Sequence, residues 1–137
     1  MDPLSMTASI SAILQLAGTV LNYLNDVKDA SKDRARIATE ASNVYSLLTT
    51  LRYRVEEARS GDPWFIAVRT LGVGNGPLDH FKVGLEQLAA KLGPANGLRK
   101  VGKMLTWKFD KTEIDGILFR IERMKTLIGL ALTNDLL

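Results

Sequence analysis

The stretch "PLSMTASISAILQLAGTVLNYLN", residues 3–25, decides the fold of this chain, and it contains no charged residue. Its length and composition allow a signal peptide, a membrane span, a buried core helix, or a helix that changes between the last two. A signal peptide begins with basic residues, whereas the first charge here is the acid Asp2. Ser, Thr, Gln and Asn interrupt the apolar residues, which disfavours a permanent span. A core helix, fixed or releasable, therefore fits the stretch best.

Apolar residues recur at alternating spacings of four and three in this stretch and in three later segments. This spacing places each set on one side of an α-helix. The four sets are Met6, Ile10, Ile13, Ala17, Val20, Leu24 and Val27; Ile37, Ala41, Val44, Leu48, Leu51, Val55 and Ala58; Leu78, Phe81, Leu85, Leu88 and Leu92; and Ile114, Ile117, Ile121, Met124, Ile128 and Ala131. Leu14, Leu21, Leu118, Leu127 and Leu132 widen the first and last sets. No segment alternates with a period of two, so no strand is predicted.

The sequence predicts an all-α fold in one domain, residues 1–137, in which four long helices form an antiparallel bundle. One or two short helices are added, around Trp64 and at residues 98–105. Asp2 and Pro3 are typical of a helix start, and Asp110 with Glu113 resembles a capping box. The polar residues 29–36 are expected to contain the turn between the first two long helices.

Residue types that carry catalysis or bind metals are scarce. The chain has no cysteine, and His80 is the one histidine, so a zinc site or a catalytic dyad lacks its groups. The glycines of "GVGNG", residues 72–76, follow a helix and lack the Lys-Ser/Thr ending of a phosphate loop. We therefore expect no enzyme activity, no cofactor and no metal.

Residues 98–111, "LRKVGKMLTWKFDK", mix basic and aromatic side chains. Rings at headgroup depth and cations facing anionic lipid are typical of a membrane interface. The candidate lipid-contacting residues are Arg99, Lys100, Lys103, Trp107, Lys108 and Lys111. In the alternative interpretation, Trp107 and Phe109 close one end of the bundle and the charges are merely solvated. Nucleic-acid binding is not expected, because the other helix faces mix both charges and no nucleic-acid motif is present.

The non-core side of the first helix consists of Ser, Thr, Ala, Gly and Asn, whereas the second helix is rich in charged residues. Two explanations remain open. The helix is either central and buried on most sides, or it is able to leave the bundle and enter lipid. Ala8, Ala12, Ala17 and Gly18 are small enough to let helices approach closely within a membrane.

Several stretches together resemble one known family. "MDPLSMTASISAILQLAGTVLNYLNDVKDASKDR" resembles the start of the fungal N-terminal domains of STAND/NOD-like receptors. "WFIAVRTLG", "NGPLDHFKVGLEQLAAKL", "LTWKFDKTEI" and "IERMKTLIGLALTND" match the same family in the same order. These domains are HeLo-like, as in cell-death proteins of the HELLP type, and the resemblance covers essentially the whole chain.

The resemblance implies a membrane-targeting, pore-forming cell-death effector that acts in heterokaryon incompatibility and fungal innate immunity. Such a domain precedes a nucleotide-binding oligomerisation module or an amyloid-type motif, so this chain is expected to belong to a longer receptor. Oligomerisation of that module would move the domain from the cytoplasm to anionic lipid of the plasma membrane, where it self-associates and permeabilises the bilayer. The membrane-inserting residues implied by the resemblance are Leu4, Met6, Ile10, Ile13, Leu14, Leu16, Val20 and Leu21.

The alternative function is a signalling or oligomerisation adaptor of a NOD-like receptor, which docks another protein and never touches lipid. Under either function the first helix is expected to be packed in the isolated domain. Burying one Leu or Ile stabilises a fold by roughly 1.5–3 kcal/mol, and a domain is stable by only about 5–15 kcal/mol. Releasing the whole helix would therefore require compensation from lipid or from oligomerisation.

Overall fold

The computed structural model describes residues 1–26, 31–92 and 109–133, and every regular element in these ranges is helical. The elements are α1 (Pro3–Asp26), α2 (Lys32–Glu57), α3 (Pro63–Val68), a 3₁₀ turn (Arg69–Gly72), α4 (Pro77–Leu92) and α5 (Lys111–Thr133). The all-α prediction is therefore confirmed for the described residues. The short helix expected around Trp64 corresponds to α3 and the 3₁₀ turn, and the one expected at residues 98–105 lies outside the described ranges.

Side-chain caps fix the starts of two long helices. At α2, the Ser31 hydroxyl accepts the Arg34 N–H at 3.1 Å. At α5, Asp110 Oδ1 accepts the Glu113 N–H at 2.8 Å and Glu113 Oε1 accepts the Asp110 N–H at 3.1 Å, which is the reciprocal capping box expected from the sequence. The turn between α1 and α2 was predicted within residues 29–36; α2 begins at Lys32, so the last five of these residues belong to the helix. The cap at Ser31, rather than the polar composition, decides where this helix begins.

One apolar core runs through all four long helices. Every described residue of the four apolar sets is buried except Ala58, which is partly buried against the core. Leu14 and Leu118 are also buried, and Leu21, Leu127 and Leu132 pack partly buried on the same core. No polar or charged residue is buried within the described ranges. The spacing of apolar residues therefore predicted the core of the long helices.

The segment between α2 and α4 adds core residues that the periodicity did not reveal. Phe65 and Val68 from α3 and Leu71 from the 3₁₀ turn are all buried. This segment is too short to display a helical repeat, so its contribution was invisible to spacing. The 3₁₀ turn packs against both α1 and α4.

The order of packing determines which helix surfaces remain free. Helix α1 packs against α2 and α4, and α5 packs against the same two helices. The end of α1 lies beside the start of α2, where Arg34 Nη1 donates to the Leu24 carbonyl at 3.1 Å. Helix α1 is thus held along one side, and no other long helix in the described ranges covers its opposite side.

Candidate membrane-inserting helix

Helix α1 is capped at both ends by side chains from outside its apolar stretch. Asp2 Oδ1 accepts the Ser5 N–H at 2.7 Å, and Pro3 occupies the first helical position, where a missing N–H is harmless. Hydrogen bonds from Ser5, through its side chain and its backbone, hold the pKa of Asp2 below its ordinary value. At the other end, the Arg34 guanidinium satisfies a carbonyl of the last turn. The uncharged stretch therefore forms a complete helix without any internal charge.

The residues expected to insert into a bilayer do not share one environment. Met6, Ile10, Ile13, Leu14 and Val20 are buried in the core. The remaining three differ: Leu16 and Leu21 are partly buried against the core, and Leu4 is 79% exposed. Leu4 lies two positions before Met6, about 200° around the helix, which explains its different side. Most of the candidate inserting surface is thus the surface that holds the closed fold together.

The other side of α1 faces solvent and carries no charge before the last residue of the helix. The exposed residues of α1 are Leu4, Ser5, Ala8, Ala12, Gln15, Thr19, Asn22, Asn25 and Asp26. Within the described residues, α1 is the one helix that is long and apolar enough to cross a membrane. Only 33% of its most apolar 18-residue stretch is buried. The explanation that α1 is central and buried on most sides is therefore wrong. A core helix of a soluble protein meets the same criterion of length and composition, so the exposed uncharged side is the more informative feature.

The second candidate region, the basic and aromatic stretch, is described only at its end. Arg99, Lys100, Lys103, Trp107 and Lys108 lie outside the described residues. Lys111 is exposed at the first position of α5.

Phe109 occupies the position that the alternative interpretation gave it. It lies partly buried against the core, and the Lys91 Nζ atom is 5.0 Å from its ring centroid. Lys91 also forms an ion pair with Glu113, and this bond is the largest cause that holds the pKa of Glu113 below its ordinary value. Phe109 thus acts as a packing residue beside Lys91 at this end of the fold.

A polar connection between α2, α3 and α5 was missed at the sequence level. Trp64 Nε1 donates to the Ala131 carbonyl at 2.9 Å, and Arg54 Nη1 donates to the Leu132 carbonyl at 3.1 Å. The Arg54 guanidinium lies 4.3 Å from the centroid of the Trp64 ring. The one available signal was the indole N–H, which usually finds a partner when the ring is packed. Its partner is 67 residues away in sequence, beyond any local pattern.

No group of three His, Cys, Asp or Glu side chains able to hold a metal ion occurs in the described part of the chain. The side chains that α1 itself contributes from Pro3 to Asn25 are instead apolar, small or uncharged and polar. Such an arrangement is suited to packing against another apolar phase or another helix.

Comparison with known proteins leaves the family open, because no protein-family model, no curated protein and no solved structure matches the chain.

Proposed function

We propose that the chain is a HeLo-like cell-death effector domain that permeabilises membranes after an attached receptor or amyloid-type module oligomerises. In this proposal the four long helices form an antiparallel bundle in the resting, cytoplasmic state. Activation moves the domain to anionic lipid of the plasma membrane, where α1 inserts and copies of the domain assemble.

One observation carries the proposal: α1 has no charged side chain from Pro3 to Asn25, although its outer side is exposed. Placing one Asp, Lys or Arg at the centre of a membrane helix costs about 2.5–3.5 kcal/mol. Helix α2, of similar length, carries nine charged residues, so its insertion into lipid would incur this cost several times. A helix with α1's composition avoids this cost on both its sides.

The cost of releasing α1 makes the activity conditional. Seven of its apolar residues are buried. Six of them are Val, Leu, Ile or Met, and burial of each such side chain stabilises the fold by roughly 1.5–3 kcal/mol. Their sum is comparable with the entire stability of a domain of this size. The helix therefore stays packed in an isolated copy, and clustering at a membrane supplies the compensating free energy through mass action and lipid contact.

Contacts between helix ends support the antiparallel arrangement in this proposal. Lys91, near the end of α4, pairs with Glu113 at the start of α5. One turn earlier in α4, Gln87 accepts a hydrogen bond from Arg120, which lies two turns later in α5. Partners that descend along one helix while they ascend along the other are typical of antiparallel neighbours.

The test clusters the domain on a membrane and places a charge on the exposed side of α1. We would fuse the domain to a hexameric scaffold and measure dye release from anionic liposomes for the parent protein and for Ala12→Lys. Ala12 is exposed near the middle of α1, so the variant keeps the closed fold while insertion becomes costlier. Dye release should fall on the order of 100-fold, as expected for a charge near the bilayer centre.

Ser42→Lys provides the matched control, because Ser42 is also exposed but belongs to α2. This variant should release dye as the parent protein does. Equal effects of the two variants would show that net charge, rather than insertion of α1, controls leakage. If the clustered parent protein neither binds nor permeabilises liposomes, the proposal is wrong.

The adaptor function is the second candidate, and exposed apolar side chains away from α1 favour it. Phe119 is 67% exposed on α5 and Val83 is 44% exposed on α4. An adaptor would form clusters in cells without recruitment to any membrane, and charge changes on the surface of α2 would abolish its self-association while liposomes stay intact.

A further inference from the structure

A groove runs between α4 and α5, on a part of the surface that α1 does not line. It consists of two depressions of about 270 and 480 Å³ that share Gly116 and Arg120. Pro77, His80, Phe119 and Arg123 line the first depression, together with Met124; Gln87, Lys91, Phe109 and Glu113 line the second, with neighbouring residues of the same helices. We call this surface the α4–α5 groove.

Two glycines contact Arg120, but only Gly116 lines the groove. At Gly84, an added Cβ would lie 3.3 Å from Cδ of Arg120, so the arginine stem already fills that space. The Arg120 guanidinium then reaches across and donates from Nη1 to Gln87 Oε1 at 3.0 Å. At Gly116, an added Cβ would meet only Arg120 Nη1, at 3.9 Å, which is an ordinary contact.

Internal packing therefore does not require a glycine at position 116. Glycine in the interior of a helix lowers helix stability relative to alanine. Gly116 lies well inside α5, and the space that its missing side chain leaves is part of the groove. This residue keeps the floor open at the point where the two depressions join.

The groove combines apolar surface with excess positive charge. Among the described residues that line it, Glu113 is the one carboxylate, and Glu113 is engaged by Lys91 and by the Asp110 N–H. Arg120 and Arg123 supply the excess charge. On the rim, Phe119 is exposed on α5, and Val83 lies on α4 between His80 and Gln87 at helical spacings of three and four, which places it on their side. A ligand that complements the groove therefore carries both apolar side chains and carboxylates.

We propose that the α4–α5 groove binds an amphipathic helix of a partner protein that carries carboxylates beside its apolar residues. The groove follows α4 from Pro77 to Lys91, a length of about 20 Å at the helical rise of 1.5 Å per residue, which matches a partner helix of about four turns. Apolar side chains of the partner cover Gly116 and pack on Phe119 and Val83, and its carboxylates pair with the two arginines. This docking goes beyond the proposed membrane activity, because it uses no α1 residue.

The probe for this proposal is a displayed library of random 16-residue peptides, selected against the folded domain. Enriched peptides should carry Glu or Asp among Leu, Ile or Phe at spacings of three and four, and their amide-shift perturbations should map to α4 and α5. Arg123→Glu should weaken their binding at least tenfold. Lys82→Glu, an equal charge change on α4 outside the groove, should leave binding unchanged.

Gly116→Leu separates docking from folding. Since a Cβ fits at this position, the variant should keep a Tm equal to or above that of the parent domain while it loses peptide binding. Peptides that map elsewhere, that are basic, or that bind Arg123→Glu as tightly as the parent would overturn the proposal, as would a library that yields no binder. Competition for the same face by anionic vesicles or by a second copy of the domain would also overturn it. Dye release by the clustered domain is measured separately, so failure of the groove is distinguishable from failure of the membrane activity.

Discussion

Helices α1 and α2 contribute almost equally to the core but differ on the side that faces solvent. Seven residues of α1 and six of α2 are buried. Outside the core, α2 carries nine charged residues, whereas Asp26 at the last position is the one charge of α1. A solvent-exposed side tolerates charges freely, so folding in water does not demand their absence from α1. The proposed insertion of α1 into lipid rests on this contrast between the two exposed sides.

The largest expected effect tests whether α1 and α2 contribute equally to the core. Ile10→Ala in α1 and Leu48→Ala in α2 each remove a fully buried side chain from the same core. Each should lower the free energy of unfolding by about 2–5 kcal/mol, measured by urea denaturation. If Ile10→Ala costs far less than Leu48→Ala, α1 is not packed in solution as α2 is, and the resting state differs from the closed fold.

The connection between the end of α1 and the start of α2 gives a smaller effect. Arg34→Met keeps the aliphatic stem but removes the hydrogen bond to the Leu24 carbonyl. The expected loss of stability is about 1 kcal/mol, which is below the roughly 1.5–3 kcal/mol of a hydrogen bond to a charged group. The loss is smaller because Arg34 Nε is buried without a hydrogen-bond partner, and its removal relieves that cost. Amide exchange should accelerate in the last turn of α1 and remain unchanged in the middle of α2. Uniform acceleration across both helices would contradict a local role for Arg34.

The outer sides of the two helices should respond to charge with almost no change in stability. Ala12→Glu and Ser42→Glu each add a carboxylate at an exposed position, so each should change the free energy of unfolding by less than about 0.5 kcal/mol. This result would establish that the uncharged side of α1 is dispensable for folding. A large cost confined to Ala12→Glu would instead mean that this side is covered in solution, and sedimentation of the parent protein would then detect self-association.

Spacing of apolar residues predicted the core of the long helices because a four-three repeat is a local property of the chain. The absence of charge from α1 was equally visible in the sequence. The exposure of its uncharged side was not, since exposure depends on which helices pack beside α1. The contacts of Trp64 and Arg54 with the end of α5 join residues 67 and 78 positions apart, which no local pattern encodes. The α4–α5 groove was missed for the same reason, because Gly116 and Gln87 are brought together only by folding.

The smallest effect concerns pH and the two helix starts. Helix α1 begins at an ionisable cap, Asp2, and α2 begins at an uncharged one, Ser31. Hydrogen bonds from Ser5 lower the pKa of Asp2, so they favour its ionised form. Their contribution is therefore fully present above the ordinary Asp pKa of about 4. It is lost as the pH falls through the lower pKa of the folded state.

An NMR titration of the two capped amides measures this difference. On acidification, the Ser5 amide shift should move with the protonation of Asp2, because its N–H donates to Asp2 Oδ1. The Arg34 amide, which donates to the Ser31 hydroxyl, should not respond over the same range. Asp2→Asn removes the titrating group, so its Ser5 amide should lose the pH dependence while α2 behaves as before. If the Ser5 amide shift still depends on pH in this variant, another group causes the change. The start of α1 would then not differ from the start of α2 in having a cap whose ionisation controls it.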